Sequence, residues 1–208
     1  MYFIDPIEPN LKLILGQFVP SGFKVRSGQF RSGWWDSFGR TILGHKDLVK
    51  IFMEKAATLG IDLNIKDNYG LTGFNQVCGG RFDQDLVKIC LENATNLSFD
   101  VNAKDNMGWT AFHSACELGF PDVVKSFMDN ATVLRIDLNI TNNDGMTAFL
   151  IACQHGHSDV VKIFMENAAA LTIDLKTKDN NGSTAYNIAF INGHLDVIKI
   201  FMDYAKAN

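Results

Sequence analysis

The chain has few of the residues that break, cross-link or charge a structure, and each shortage excludes something. Four prolines in 208 residues are too few for a linker-rich or disordered chain. The four cysteines, Cys78, Cys90, Cys116 and Cys153, include no closely spaced pair, so no zinc or redox motif is legible. Excess positive charge is missing too. A formal charge of -4 and a pI near 5.7 argue against a broad basic face that would bind nucleic acid. Long apolar runs are absent: Leu11 to Val19 is interrupted by Lys12 and Gln17 and falls short of the roughly 20 residues a spanning helix needs. The start, Met1 to Pro6, lacks the basic and apolar regions of a signal peptide. The expectation is a chain with reduced cysteines in the cytoplasm, or the nucleus, without membrane insertion. No phosphate-cradling glycine loop and no nucleophile elbow appears.

What is present is repetition. Asp159-Val160-Val161-Lys162-Ile163-Phe164-Met165-Glu166 recurs, with small changes, from Asp196, Asp122, Asp85 and Asp47. A period of about 37 residues is the signature of a stacked array, in which each unit contacts only its neighbours and the core runs along the chain. The array also bounds the domain question, because 208 residues then form one elongated unit.

Residues 1–32 do not fit the repeat. Pro6, Pro9 and Pro20, with several glycines, break any long helix there, and an N-terminal extension or cap is expected. Residues 33–60 form a degenerate unit: Gly44-His45-Lys46-Asp47 matches Gly156-His157-Ser158-Asp159, but the upstream half, with Trp34, Trp35 and Phe38, does not. An irregular first unit suits a capping role. Four regular units follow, over 61–98, 99–135, 136–172 and 173–208.

Each regular unit opens on turn chemistry. Asp67-Asn68-Tyr69-Gly70, Asp105-Asn106-Met107-Gly108, Asn142-Asn143-Asp144-Gly145 and Asp179-Asn180-Asn181-Gly182 combine an Asx side chain that bonds its own backbone with a glycine that tolerates positive φ. Thr72, Thr110, Thr147 and Thr184 then sit where helix N-caps are expected. The first helix of each unit carries small inner residues, among them Cys78, Cys116, Cys153 and the pair Ala189-Phe190, so that neighbouring helices can approach. Gly119, Gly156 and Gly193 supply C-terminal caps. In the 61–98 unit, Gly79-Gly80-Arg81-Phe82-Asp83 holds one extra residue. The second helix is amphipathic, with Val160, Val161, Phe164, Met165, Ala168 and Leu171 on one stripe. Its Asp-x-x-Lys ladder reads as a solvated outer face of weak pairs.

The order Asp-x-x-Gly-x-Thr-x-Phe-His-x-Ala-Cys-x-x-Gly-His-x-Asp-Val-Val, read at 105–124 and 142–161, resembles the ankyrin repeat. Coverage is strong over 61–208, partial over 33–60 and nil before that. Two features depart from the family. Ala111, Ala148, Ala185 and Gly73 stand where it places a proline, a loss of preorganisation at the first helical residue. The period also exceeds the family's roughly 33 residues, and Asn167-Ala168-Ala169-Ala170-Leu171 is expected to add one helical turn.

The resemblance implies an all-α solenoid of paired antiparallel helices joined by short hairpin loops. It implies a monomeric protein-binding scaffold, adaptor or inhibitor without cofactor or metal; the alternative is a regulatory segment of a longer channel, kinase or ligase-adaptor chain. It implies a concave surface made of hairpin tips and inner helices. Carried over residue by residue, the tips include Tyr69, Leu71, Met107, Trp109 and Met146, and the ends of the first helices include Glu117, Leu118, Gln154, His155, Ile191 and Asn192. The apolar tips are unusual for turns, and Trp, Tyr and Met suit partner contacts. Asn64, Asn102 and Asn139 lie where ankyrin-like units can accept asparaginyl hydroxylation, with Lys176 at that place in the last unit. A plain turn role for them is the simpler reading.

An enzyme reading finds little support. His45, His157 and His194 share one repeat position and are better explained as hydrogen-bonders between units. The remaining enzyme alternative is an unfamiliar site in the N-terminal forty residues, which hold no histidine or cysteine.

Overall fold

A computed structural model describes residues 62–79 and 84–207. The expectations for the N-terminal extension, the 33–60 unit with its two tryptophans and His45, and the Gly80–Asp83 insertion lie outside the described residues. Nine helices are described: α1 (Gly73–Gly79), α2 (Gln84–Leu97), α3 (Ala111–Leu118), α4 (Pro121–Asp129), α5 (Ala131–Leu134), α6 (Ala148–His155), α7 (Ser158–Asn167), α8 (Ala185–Ile191) and α9 (Leu195–Ala207). The first helices α1, α3, α6 and α8 pack in one row, and the second helices α2, α4, α7 and α9 pack in another. The described residues hold no strand, only an isolated bridge between Thr141 and Thr147.

Local chemistry sets where each unit begins. In every hairpin the Asx side chain accepts two backbone N–H groups. Asp67 Oδ1 takes those of Tyr69 and Leu71 at 2.8 and 2.9 Å, and Asp105 Oδ1 takes those of Met107 and Trp109 at 2.8 Å each. Asn142 and Asp179 repeat the arrangement. The turn glycines Gly70, Gly108, Gly145 and Gly182 all have φ between 74° and 78°, a region that costs an L-residue roughly 1–2 kcal/mol. Thr110, Thr147 and Thr184 are extended N-caps whose hydroxyls accept the N–H three residues on.

The core is a continuous zigzag of rings along the stack. Phe74 packs on Phe127 at 5.8 Å, Phe127 on Phe112 at 5.2 Å, Phe112 on Phe164 at 5.7 Å, and Phe164 on Phe149 at 5.3 Å. The chain of contacts ends on Phe201 and Tyr186. It alternates between first and second helices, and the Phe74–Phe127, Phe112–Phe164 and Phe149–Phe201 contacts join neighbouring units. Such pairs contribute roughly 0.5–1.5 kcal/mol beyond their area.

Polar joints tie the units as well. The Asn106, Asn143 and Asn180 side-chain amides each donate to the carbonyl of the preceding hairpin's asparagine, at 2.9–3.0 Å. His157 Nε2 donates to the Glu117 carbonyl at 2.7 Å, and His194 Nε2 to the Gln154 carbonyl at 2.8 Å. These two histidines therefore do bridge units. The glycine caps make room for them: a Cβ on Gly119 or Gly156 would meet the next unit's imidazole at 2.3 or 2.4 Å.

The expected extra helical turn is only partly present. α2 does continue to Leu97, but Asn130 (ψ -1°) separates α4 from the single turn α5, and α7 stops at Asn167 before a hydrogen-bonded turn. Asn130 and Asn167 each donate their amide to the carbonyl four residues back, which competes with helical pairing. Asn93 does the same inside an unbroken α2, so that bond alone does not cause the break. All three units then close at a left-handed residue, Ser98, Arg135 or Thr172, with φ of 52–53°.

A second correction concerns Phe190, expected on the inner, packed side of its helix. It is 64% exposed, because α8 has a described neighbour, α6, on one side only. Its counterparts Cys116 and Cys153 are fully covered by such neighbours.

Candidate partner-binding groove

Hairpin tips and first helices of the 61–98 and 99–135 units enclose an open groove of about 550 Å³. Its lining includes Leu71, Met107, Trp109 and Glu117, four of the residues singled out from the sequence. Asp105 fixes two of the three apolar ones, since its Oδ1 holds the Met107 and Trp109 backbones. Met107 is 63% exposed, while Trp109 is half-buried, with its ring 5.9 Å from that of His113. Tyr69 stands beside the groove at the neighbouring tip, 71% exposed.

Sequence reasoning missed the other walls, Asn75, Gln76, Gly79, Asp105 and Ser114. A signal existed. Gln76 and Gly79, like Ser114 and Glu117, are three apart on equivalent helices and so share one helical face.

The remaining predicted residues scatter. Met146 is a correction: expected at an exposed tip, it is only 8% exposed and belongs to the core. Its thioether chain is slim and flexible enough to tuck inward, where the indole of Trp109 at the same repeat position stays at the surface. Leu118 is half-buried, and Gln154, His155, Ile191 and Asn192 are exposed but outside the groove. His155 and His157 stack their rings at 6.0 Å. Among the described residues no group of three or more His, Cys, Asp or Glu is placed to hold a metal ion.

His113 underlies the groove and is almost fully buried. Its Nδ1 accepts the Thr110 N–H at 3.1 Å while Nε2 donates to the Met146 carbonyl at 3.2 Å. Both roles require the neutral ring, and burial pushes its pKa down to about 4, against smaller upward contributions from bonds to Met146 and Ile140. Asn75 does the same work one unit earlier, accepting from Thr72 N–H and donating to the Ala103 carbonyl. The four cysteines are buried and free. Burial raises each thiol, Cys90 to about 12, so they serve as small apolar groups, not nucleophiles.

Asn64, Asn102 and Asn139 form a repeated clamp. Each side-chain oxygen accepts the N–H of Asp100, Asp137 or Asp174 in the next unit. Each amide donates to the left-handed residue just before it, Ser98, Arg135 or Thr172.

Paired helices, capped hairpins and residue-for-residue joints between neighbours define a helical repeat array whose tips and inner helices form a continuous face. The sequence profile of ankyrin repeats, described in three copies, matches residues 40–135 and 130–208. The chain belongs to the ankyrin repeat family. A search of curated proteins finds no match. Ankyrin repeats are generally protein–protein interaction modules and typically non-enzymatic. Among the described residues no helix is long and apolar enough to cross a membrane.

Proposed function

We propose that this chain binds a partner protein on its hairpin-tip and inner-helix face, centred on the groove between the 61–98 and 99–135 units. The observation that carries this reading is the convergence of Leu71, Met107 and Trp109, with Tyr69 adjacent, on one open groove. Large apolar side chains held on a rigid hairpin lose little entropy on binding, and aromatic anchors of this kind dominate interface energetics. The role is that of a scaffold, adaptor or inhibitor.

The test is site-directed photo-crosslinking in cells. A benzophenone amino acid at position 107 is expected to trap one discrete protein. The same group at position 133, which is 74% exposed but outside the groove, is expected not to. Equal trapping at both positions, or none at 107, removes the groove from the reading.

A further inference from the structure

Two acids line the groove, Asp105 and Glu117, and their acidity is unspent. In the 61–98 unit the second carboxylate oxygen of Asp67 is occupied, accepting from Gln76 Nε2 at 3.1 Å. One unit later Ser114 replaces that glutamine. Asp105 uses only Oδ1, for the Met107 and Trp109 backbones, and Oδ2 has no hydrogen-bond partner among the described residues. Glu117, half-buried on the same wall, has neither an ion pair nor a side-chain hydrogen bond there. The described lining contains these two acids and no lysine or arginine. The apolar part of the lining is Leu71, Met107 and the Trp109 ring, and the rest, Asn75, Gln76, Gly79 and Ser114, is uncharged.

We propose that the groove accepts an extended segment of a partner protein in which a large apolar side chain adjoins an arginine or lysine. The inference rests on the protein-binding reading above and names the chemistry it selects. The apolar side chain would sit against Met107 and Trp109, and the cation between Asp105 and Glu117, where a guanidinium can pair with carboxylates in a fixed fork. A phosphate-bearing ligand is disfavoured by the same two charges. Recognition runs through side chains, because the hairpin carbonyls of Tyr69 and Met107 are already taken by the N–H groups of Asn106 and Asn143. A partner strand therefore cannot extend the hairpins there.

The chain itself supplies the control variants. One unit on, Asn142 replaces Asp105 and keeps both backbone bonds, at 2.9 Å each, and Gln154 replaces Glu117. Asp105→Asn with Glu117→Gln therefore removes both charges and preserves the hairpin, which a thermal melt verifies. Random linear peptides displayed on phage are selected against the full chain. The recovered peptides are then measured by fluorescence anisotropy against wild type, the double variant and Met107→Ser.

Expected results are recovered peptides enriched in Arg or Lys next to Leu, Met or Phe, and binding weakened by added salt. The double variant should bind them about five- to tenfold more weakly, with the salt dependence largely gone. Met107→Ser should also weaken them. Peptides that bind in a Met107-dependent way but without basic enrichment, or equally well to the double variant, overturn the inference and leave the groove reading intact. Recovered peptides indifferent to Met107→Ser and to the double variant alike overturn both.

Discussion

The 136–172 unit and the last unit carry nearly the same pattern and meet different fates. Phe149 is 1% exposed and its counterpart Tyr186 38%; Cys153 is fully buried and Phe190 64% exposed; Met165 is 8% exposed and Met202 51%. The difference does not lie in hydrophobicity alone, because Met165 and Met202 are the same residue and Phe190 is the larger, apolar member of its pair. It lies in the neighbour: α6 and α7 are flanked by α3 and α4 on one side and by α8 and α9 on the other, whereas α8 and α9 have a described neighbour on one side only. Even the glycine notches reflect this. Gly145 and Gly156 receive Asn180 and His194, while nothing lies within 4 Å of a Cβ placed on Gly182 or Gly193. Burial in such an array is conferred by the next unit, as nearest-neighbour energetics requires.

Substitutions in covered and uncovered units break or sharpen that contrast. The largest effect is expected for Phe164→Ala, which empties a position touching both Phe112 and Phe149. A loss of about 3–5 kcal/mol is expected in urea denaturation, against less than about 1 kcal/mol for Met202→Ala, at the half-exposed counterpart of Met165. Equal losses would mean that the last unit is covered in solution.

Acid should act on the interior of the stack through His113. His113 has its pKa lowered from 6.5 to about 4, so between these values the unfolded chain binds the extra proton. Its contribution is complete above about pH 6.5, declines as pH falls, and is gone by about pH 4. The gap corresponds to about 3 kcal/mol. His113→Asn, which borrows the solution used by Asn75, should flatten this part of the stability–pH curve. No such change is expected for Asn187→Ala at the equivalent exposed site.

Gly156→Ala and Gly193→Ala share a left-handed φ of 74° but differ in clearance. The second should cost about 1–2 kcal/mol from backbone strain alone. The first should cost about 1 kcal/mol more, because His194 must swing away and lose its bond to the Gln154 carbonyl. Thermal melts of the two variants against wild type measure the difference. The clamp supplies the last pair: Asn139→Ala removes two hydrogen bonds across the joint and should cost about 1–2 kcal/mol. Lys176→Ala, at the same position of the last unit, should be silent within about 0.5 kcal/mol. Hydrogen exchange at the Asp174 amide reads the first directly.

Much of this was legible beforehand because it is local. Asx-to-backbone bonds, threonine caps and left-handed glycines act within about four residues, so Asp105, Thr110 and Gly119 announce themselves without any neighbour. His157 and His194 were legible from their recurrence beside glycine. Less legible was whatever depends on what lies across a joint. Met146 and Trp109 occupy the same hairpin position, yet one is in the core and the other on a groove wall. Gln76 and Ser114 differ by one side chain, and that decides whether an aspartate oxygen is satisfied or open. The helical break at Asn130 was likewise invisible, since Asn93 occupies the same place in an unbroken helix.

The sequence by itself therefore determined the unit, its turns and caps, the apolar stripe of its second helix and the family it belongs to, because each follows from contacts between residues close in the chain. Tertiary structure alone decided which large side chains are covered, which polar atoms remain unpaired and where a groove opens. Those outcomes depend on residues about 37 positions apart brought into contact by stacking, and a periodic pattern read along one unit carries no record of what its neighbour places against it.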